Sequence, residues 1–148
     1  MSVNAVSVRS SGWGNRKETA MIIADTDAQS TVGVKSLERA KIFYGEVLGL
    51  KPVGPDMPRV QCYLAGRAVI VVYESQFAGT NQATAITWPM GDRFDQAYRE
   101  LKDKGVAFEH YDMPDVTRSG DVHEVGSMKL FWFKDPDGNI IHLGNYGP

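Results

Sequence analysis

Phe131-Trp132-Phe133-Lys134-Asp135-Pro136-Asp137-Gly138-Asn139-Ile140-Ile141-His142-Leu143 carries the most information in this chain. Two runs rich in aromatic and β-branched residues flank Asp-Pro-Asp-Gly, the pattern of a β-hairpin. Pro136 presets φ for a turn and Gly138 tolerates positive φ, so the chain reverses there at little cost. A loop of those four residues sets Lys134 opposite Asn139, Phe133 opposite Ile140 and Phe131 opposite His142. One sheet face would then hold Phe131, Phe133, Ile140 and a single imidazole. A histidine so placed is a metal ligand, a substrate contact or a core residue with one satisfied hydrogen bond.

The surrounding chain fits one ordinary domain: 148 residues, 43% hydrophobic and 23% charged. A net charge of -2, with no basic cluster interleaved with aromatics, argues against a nucleic-acid partner. The longest apolar run, Ala68 to Tyr73, is too short to span a bilayer, so no membrane partner is expected. Cys62 stands alone, which suits a reducing compartment and a cytoplasmic location. Residues 1–26 read as a polar N-terminal tail without periodicity and are expected to be disordered.

From residue 27 the chain repeats itself, in units of about 27–75 and 83–146. The first opens with a strand at Ser30 to Val34. Ser36 is placed to cap a helix, and Leu37, Ala40, Phe43, Tyr44, Val47 and Leu48 give its apolar stripe, which Gly49 ends. Strands follow at Leu50 to Val53, Val60 to Leu64 and Ala68 to Tyr73. The second unit repeats the order: a strand at Ala83 to Trp88, a helix through Phe94, Ala97, Tyr98 and Leu101, then Gly105 and a strand at Val106 to Tyr111. A polar loop to about Gly126 leads to the hairpin, and its stretch from Met113 to Val125 is long enough to act as a lid. The expected fold is α+β: two tandem βαβββ units forming a curved, concave mixed sheet with helices on its outer face and a ligand cleft within.

These features resemble the vicinal oxygen chelate superfamily, which includes glyoxalase I, extradiol dioxygenases, fosfomycin-resistance proteins and bleomycin-binding proteins. The resemblance is carried by Val34-Lys35-Ser36-Leu37-Glu38-Arg39-Ala40-Lys41-Ile42-Phe43-Tyr44, by Leu48-Gly49-Leu50, and by Phe133-Lys134-Asp135-Pro136-Asp137-Gly138-Asn139. It implies a homodimer and a cleft that in family enzymes holds a divalent metal. The corresponding ligand slots fall on Gln29, Val71, Ala85 and His142. Val and Ala have no donor atoms, so the slots are degenerate and the expectation is no metal cofactor.

The expected ligand-binding set is Gln29, Thr31, Tyr73, Thr87, Phe131, Phe133 and His142, around a small organic molecule. Gln29 and His142 would orient polar groups, while Tyr73, Phe131 and Phe133 would hold the apolar part. Trp88 and Trp132 have the opposite parity and are expected under the helices. The leading reading is a metal-independent protein of the glyoxalase and bleomycin-resistance type that binds a small molecule. The alternative is a metal-dependent lyase, isomerase or dioxygenase with a rebuilt metal site.

Overall fold

The structure, a computed structural model, describes residues 21–147. Of the tail expected over residues 1–26, the first twenty lie outside the described part. Ile22–Asp25 form one exposed 3-10 turn ahead of the first strand.

Strand β1 (Ser30–Val34) buries Val32 and Val34 on one face and leaves Thr31 on the other, as alternation requires. The Ser36 hydroxyl accepts from the Arg39 N–H at 3.4 Å and starts α1, which runs through Leu37–Ala40 and continues as a π-wound segment, Lys41–Val47. The wider turns show in the Leu48 N–H, which donates to the Phe43 carbonyl five residues back at 2.9 Å. Phe43 and Tyr44 both bury from this segment. Gly49, with φ of 69°, lets the chain leave the helix in the left-handed region. Strands β2 (Lys51–Met57), β3 (Val60–Ala65) and β4 (Ala68–Glu74) complete a four-stranded sheet in the order β1-β4-β3-β2, with β1 parallel to β4.

The second unit runs β5 (Thr84–Pro89), α2 (Phe94–Asp103), β6 (Phe108–Glu109), β7 (Thr117–Ser119), β8 (Val122–Val125), β9 (Met128–Lys134) and β10 (Ile140–Gly144). Its path is β5-β10-β9-β8-β7, with β6 also paired to β9. The fold is α+β. Residues of both helices and both sheets share one core, so the helices lie on one side and the two uncovered sheet faces on the other.

Three details differ from the expectations. The first is the hairpin register. The Asp135 N–H donates to the Asn139 carbonyl at 3.0 Å, so the loop is Pro136-Asp137-Gly138 and Ile140 faces Lys134. Ile141 then faces Phe133, and His142 faces Trp132. A shift of one residue exchanges sheet faces, so His142 shares its side with Trp132 rather than with Phe131. The second is β5, where a bulge at Ala85 sets Thr84 opposite Ile140 but Thr87 opposite His142. The third is the stretch expected as a lid. It contains the β7–β8 hairpin, laddered onto β9, and His123 within it is fully buried.

The carboxylate of Asp135 fixes the hairpin to the first unit. Its Oδ1 accepts from the backbone N–H groups of Asp137 and Asn139, both at 2.9 Å. Its Oδ2 accepts from the Tyr44 hydroxyl and the Asn139 amide, both at 2.8 Å. The Asn139 amide also donates to the Gly33 carbonyl at 2.8 Å, and Asp137 accepts from the Lys35 N–H at 3.0 Å. Burial first, and the Asp135 charge next, hold the Tyr44 phenol far above its ordinary titration range, so it stays a donor. The Asp-Pro-Asp-Gly-Asn segment therefore serves architecture, with its polar groups spent on joining the units.

Candidate functional site on the uncovered sheet face

The register places the polar side chains of the uncovered face. In the second sheet Thr87, His142 and Trp132 lie side by side on β5, β10 and β9. His142 Nδ1 is 3.3 Å from the Thr87 hydroxyl, and its ring stacks on Trp132 with centroids 5.0 Å apart and planes at 24°. Tyr146 adds a third ring 6.0 Å beyond His142. Its ring lies over Gly144, where any Cβ would overlap it. The Trp132 indole N–H donates to the Thr84 hydroxyl at 3.3 Å. On the far side of the indole, His123 meets it edge-on at 4.9 Å and Tyr111 at 5.6 Å.

Desolvation holds His142 below its ordinary pKa, and burial does the same for His123. Both imidazoles are therefore neutral near pH 7. A neutral imidazole offers one donor and one acceptor, which suits orienting a polar ligand group.

In the first sheet, Thr31 pairs with Val71, Val71 with Cys62, and Gly33 with Tyr73, so these positions share the uncovered face. Tyr73 is 38% exposed there, and Gln29 is exposed just ahead of β1. A cavity of about 370 Å³ lies at the seam between β1 and β5, with core-side Ser30, Ile70, Ile86 and Trp88 and, from the uncovered face, Val69 and Thr87 in its wall. That volume is in the range of small-molecule sites. Through Thr87 it adjoins His142. A second cavity of about 380 Å³ lies on the helix side over Phe133, Leu143 and Trp88, away from both imidazoles.

The expected placement of Phe131 and Phe133 is corrected. They are 0% and 1% exposed and pack beneath the helices against Phe43, Phe94, Tyr98 and Phe108. Trp132, expected under the helices, takes the open face instead. The cause is the three-residue loop, which reverses the parity of one strand against the other. Trp88 packs against the core as expected. The strand end at His110 to Asp112 is tied down: His110 Nε2 and the Tyr98 hydroxyl both bind Asp121, at 2.8 and 2.7 Å. Those two bonds, His110 foremost, hold the Asp121 carboxyl below its ordinary pKa.

Val71 has no donor, and Ala85 sits in the bulge and packs against the core. Among the described residues no three His, Cys, Asp or Glu side chains converge. Of the four slots only Gln29 and His142 carry donor atoms, which does not fit a metal held at those slots by the usual three or more protein ligands.

A family model described as the glyoxalase/bleomycin resistance protein/dioxygenase superfamily matches residues 28–143. The chain belongs to that superfamily. Solved structures with the superfamily's fold include the fosfomycin resistance protein FosX from Mesorhizobium loti, 15% identical, covering 84% of this chain and 93% of that one, with a TM-score of 0.59. A bleomycin-binding protein complexed with bleomycin is 16% identical over 82% of this chain and 99% of its own, with a TM-score of 0.61. A lactoylglutathione lyase from Agrobacterium tumefaciens is 15% identical over 80% and 92%, with a TM-score of 0.58. At such identities the likeness is one of fold. No curated protein matches the chain. Among the described residues no helix of this superfamily member is long and apolar enough to cross a membrane.

Proposed function

We propose that this protein binds a small organic molecule on its uncovered sheet face, without a metal, and that His142 orients the ligand. The carrying observation is the His142 imidazole, held between Thr87 at 3.3 Å and Trp132 at 5.0 Å, on the face that no helix among the described residues covers. Packing alone does not account for this placement, because the core needs no polar group there and Nε2 has no partner among the described residues. Thr87 fixes the ring, and Trp132 and Tyr146 supply apolar surface beside it. Thr31, Tyr73 and Gln29 line the first unit's share of the same face. Five of the seven residues expected from sequence stay in the proposed set, and Trp132 and Tyr146 take the places of Phe131 and Phe133.

The binding of bleomycin by a protein of the same fold supports a ligand carrier over a structural module. We place the protein in the cytoplasm and take it to act as a homodimer. A fragment screen read by protein NMR, with the hits titrated against wild type and His142→Ala, tests the proposal. Affinity is expected to fall at least about tenfold in the variant, the cost of a lost contact to a buried ring. Unchanged affinity would remove His142 from the site.

A further inference from the structure

His142 Nδ1 faces the Thr87 hydroxyl, so Nε2 is the ring nitrogen left to meet a ligand, and Nε2 is buried. A neighbour of the imidazole has to move before that contact is made. Three of the neighbours are built into the sheet. Thr87 and Trp132 are paired with His142 across the ladders, and Ile140 precedes it by two positions on β10. The Trp132 indole is held further by its bond to Thr84 and by the edges of His123 and Tyr111. Tyr146 differs from all three, because it follows the last strand and reaches the face by folding back over it.

Gly144 makes room for that fold. It lies two residues beyond His142 on β10, so a side chain there would stand on the same face beside the imidazole. Its φ is not positive, so the glycine serves close approach rather than backbone freedom. The Tyr146 ring occupies the vacated place. On either side of the ring the backbone is tied down. The Asn145 N–H donates to the Lys129 carbonyl at 3.1 Å, and its side chain accepts from the Lys129 N–H at 2.9 Å and donates to the Ser127 carbonyl at 3.1 Å. The Tyr146 carbonyl accepts from the Gly91 N–H at 3.0 Å. The Tyr146 side chain itself is 37% exposed, and a partly exposed ring turns about its torsions without disturbing the strand. A fixed hinge thus carries a ring with open space beside it.

We infer that Tyr146 is a gate: its ring swings off Gly144 to uncover His142 Nε2 and returns to hold a bound molecule against the imidazole. The inference rests on the binding role proposed above and adds the positioning residue that controls access to it.

Acylation by diethyl pyrocarbonate, which attacks neutral imidazole nitrogen, provides the test. The chain has 3 histidines, and peptide mass spectrometry follows each separately. In the wild type His142 is expected to react more slowly than His110, whose side chain is 45% exposed. Tyr146→Ala removes the ring, and Gly144→Ala displaces it with a methyl group. Each is expected to speed acylation of His142 about tenfold, the equivalent of one aromatic pair lost, and to leave His110 unchanged. His123 is fully buried, so its continued silence shows that the variants remain folded. If Gly144→Ala does not fold, Tyr146→Ala decides alone. A His142 rate unmoved by Tyr146→Ala would overturn the gate. The binding role is read separately, from the affinity of the fragment-screen hits for His142→Ala. Lost affinity there, with an unmoved acylation rate in Tyr146→Ala, would keep the role and remove the gate. A faster rate in Tyr146→Ala with full affinity in His142→Ala would overturn the role and, with it, the return of the ring onto a ligand.

Discussion

The hydroxyl of Tyr44, on the first unit's helix, donates to the buried carboxylate of Asp135, on the second unit's hairpin, at 2.8 Å. This bond crosses the boundary between the two units and anchors the strand that carries His142. Removing the hydroxyl leaves a buried carboxylate short of one of its four partners. Tyr44→Phe should therefore cost about 1–3 kcal/mol. Asp135→Ala, which also frees two turn N–H groups, should cost more. Urea denaturation of the two variants measures both, and a Tyr44→Phe protein as stable as wild type would show the bond to be dispensable.

Phe131 and His142 should separate stability from binding. Phe131 is fully buried among aromatic rings, so Phe131→Ala should cost about 3–5 kcal/mol by opening a cavity. His142→Ala, on a half-buried face, should cost far less and act on ligand affinity. Denaturation midpoints beside affinities for the same two variants check the division, and the reverse pattern would place the site under the helices.

Stability should fall in acid in two stages. His123 and His142 titrate below their ordinary value of 6.5 in the folded protein, so the unfolded chain takes up their protons first. Their contribution is complete above about pH 6.5 and declines as pH falls toward each folded pKa, with the more exposed His142 contributing less. Asp121, also shifted down, contributes above its ordinary 3.8 and loses that contribution as pH falls through its folded value. Unfolding free energies measured from about pH 8 to about pH 3 should show both declines. His123→Gln should flatten the first. A wild-type profile flat until the carboxylates titrate would contradict the assignment of a buried neutral His123.

Protein purified without chelators or a His-tag should carry less than stoichiometric zinc, iron, nickel or manganese by mass spectrometry. EDTA should leave its thermal midpoint unchanged. Bound metal at one equivalent would mean that donors other than Gln29 and His142 complete a site.

Much of the fold was legible because its signals are local. The Ser36 cap, the apolar stripe to Leu48 and the Gly49 stop lie within one stretch, and the structure follows them. The site was harder to read because face assignment depends on counting single residues. Asp-Pro-Asp-Gly announces a turn without fixing whether Asp135 belongs to the loop or closes the ladder with Asn139. Asp135 closes it, because its side chain binds the turn's own N–H groups, and Phe131 and Trp132 exchange faces as a result. The bulge at Ala85 is equally silent in sequence, since no glycine or proline marks it. His123 was hidden for another reason: β8 is only four residues long, and its place is set by pairing with β9 and with the short β7 rather than by its own composition.

The most direct measurement of the central claim is a chemical-shift map of isotope-labelled protein titrated with the tightest-binding hit of the fragment screen. The account predicts that the Trp132 indole N–H and the His142 imidazole shift together, with Thr87 following and the helix-side residues around Leu101 and Val47 unmoved. Shifts confined to the groove between the helices, with His142 and Trp132 silent, would contradict it.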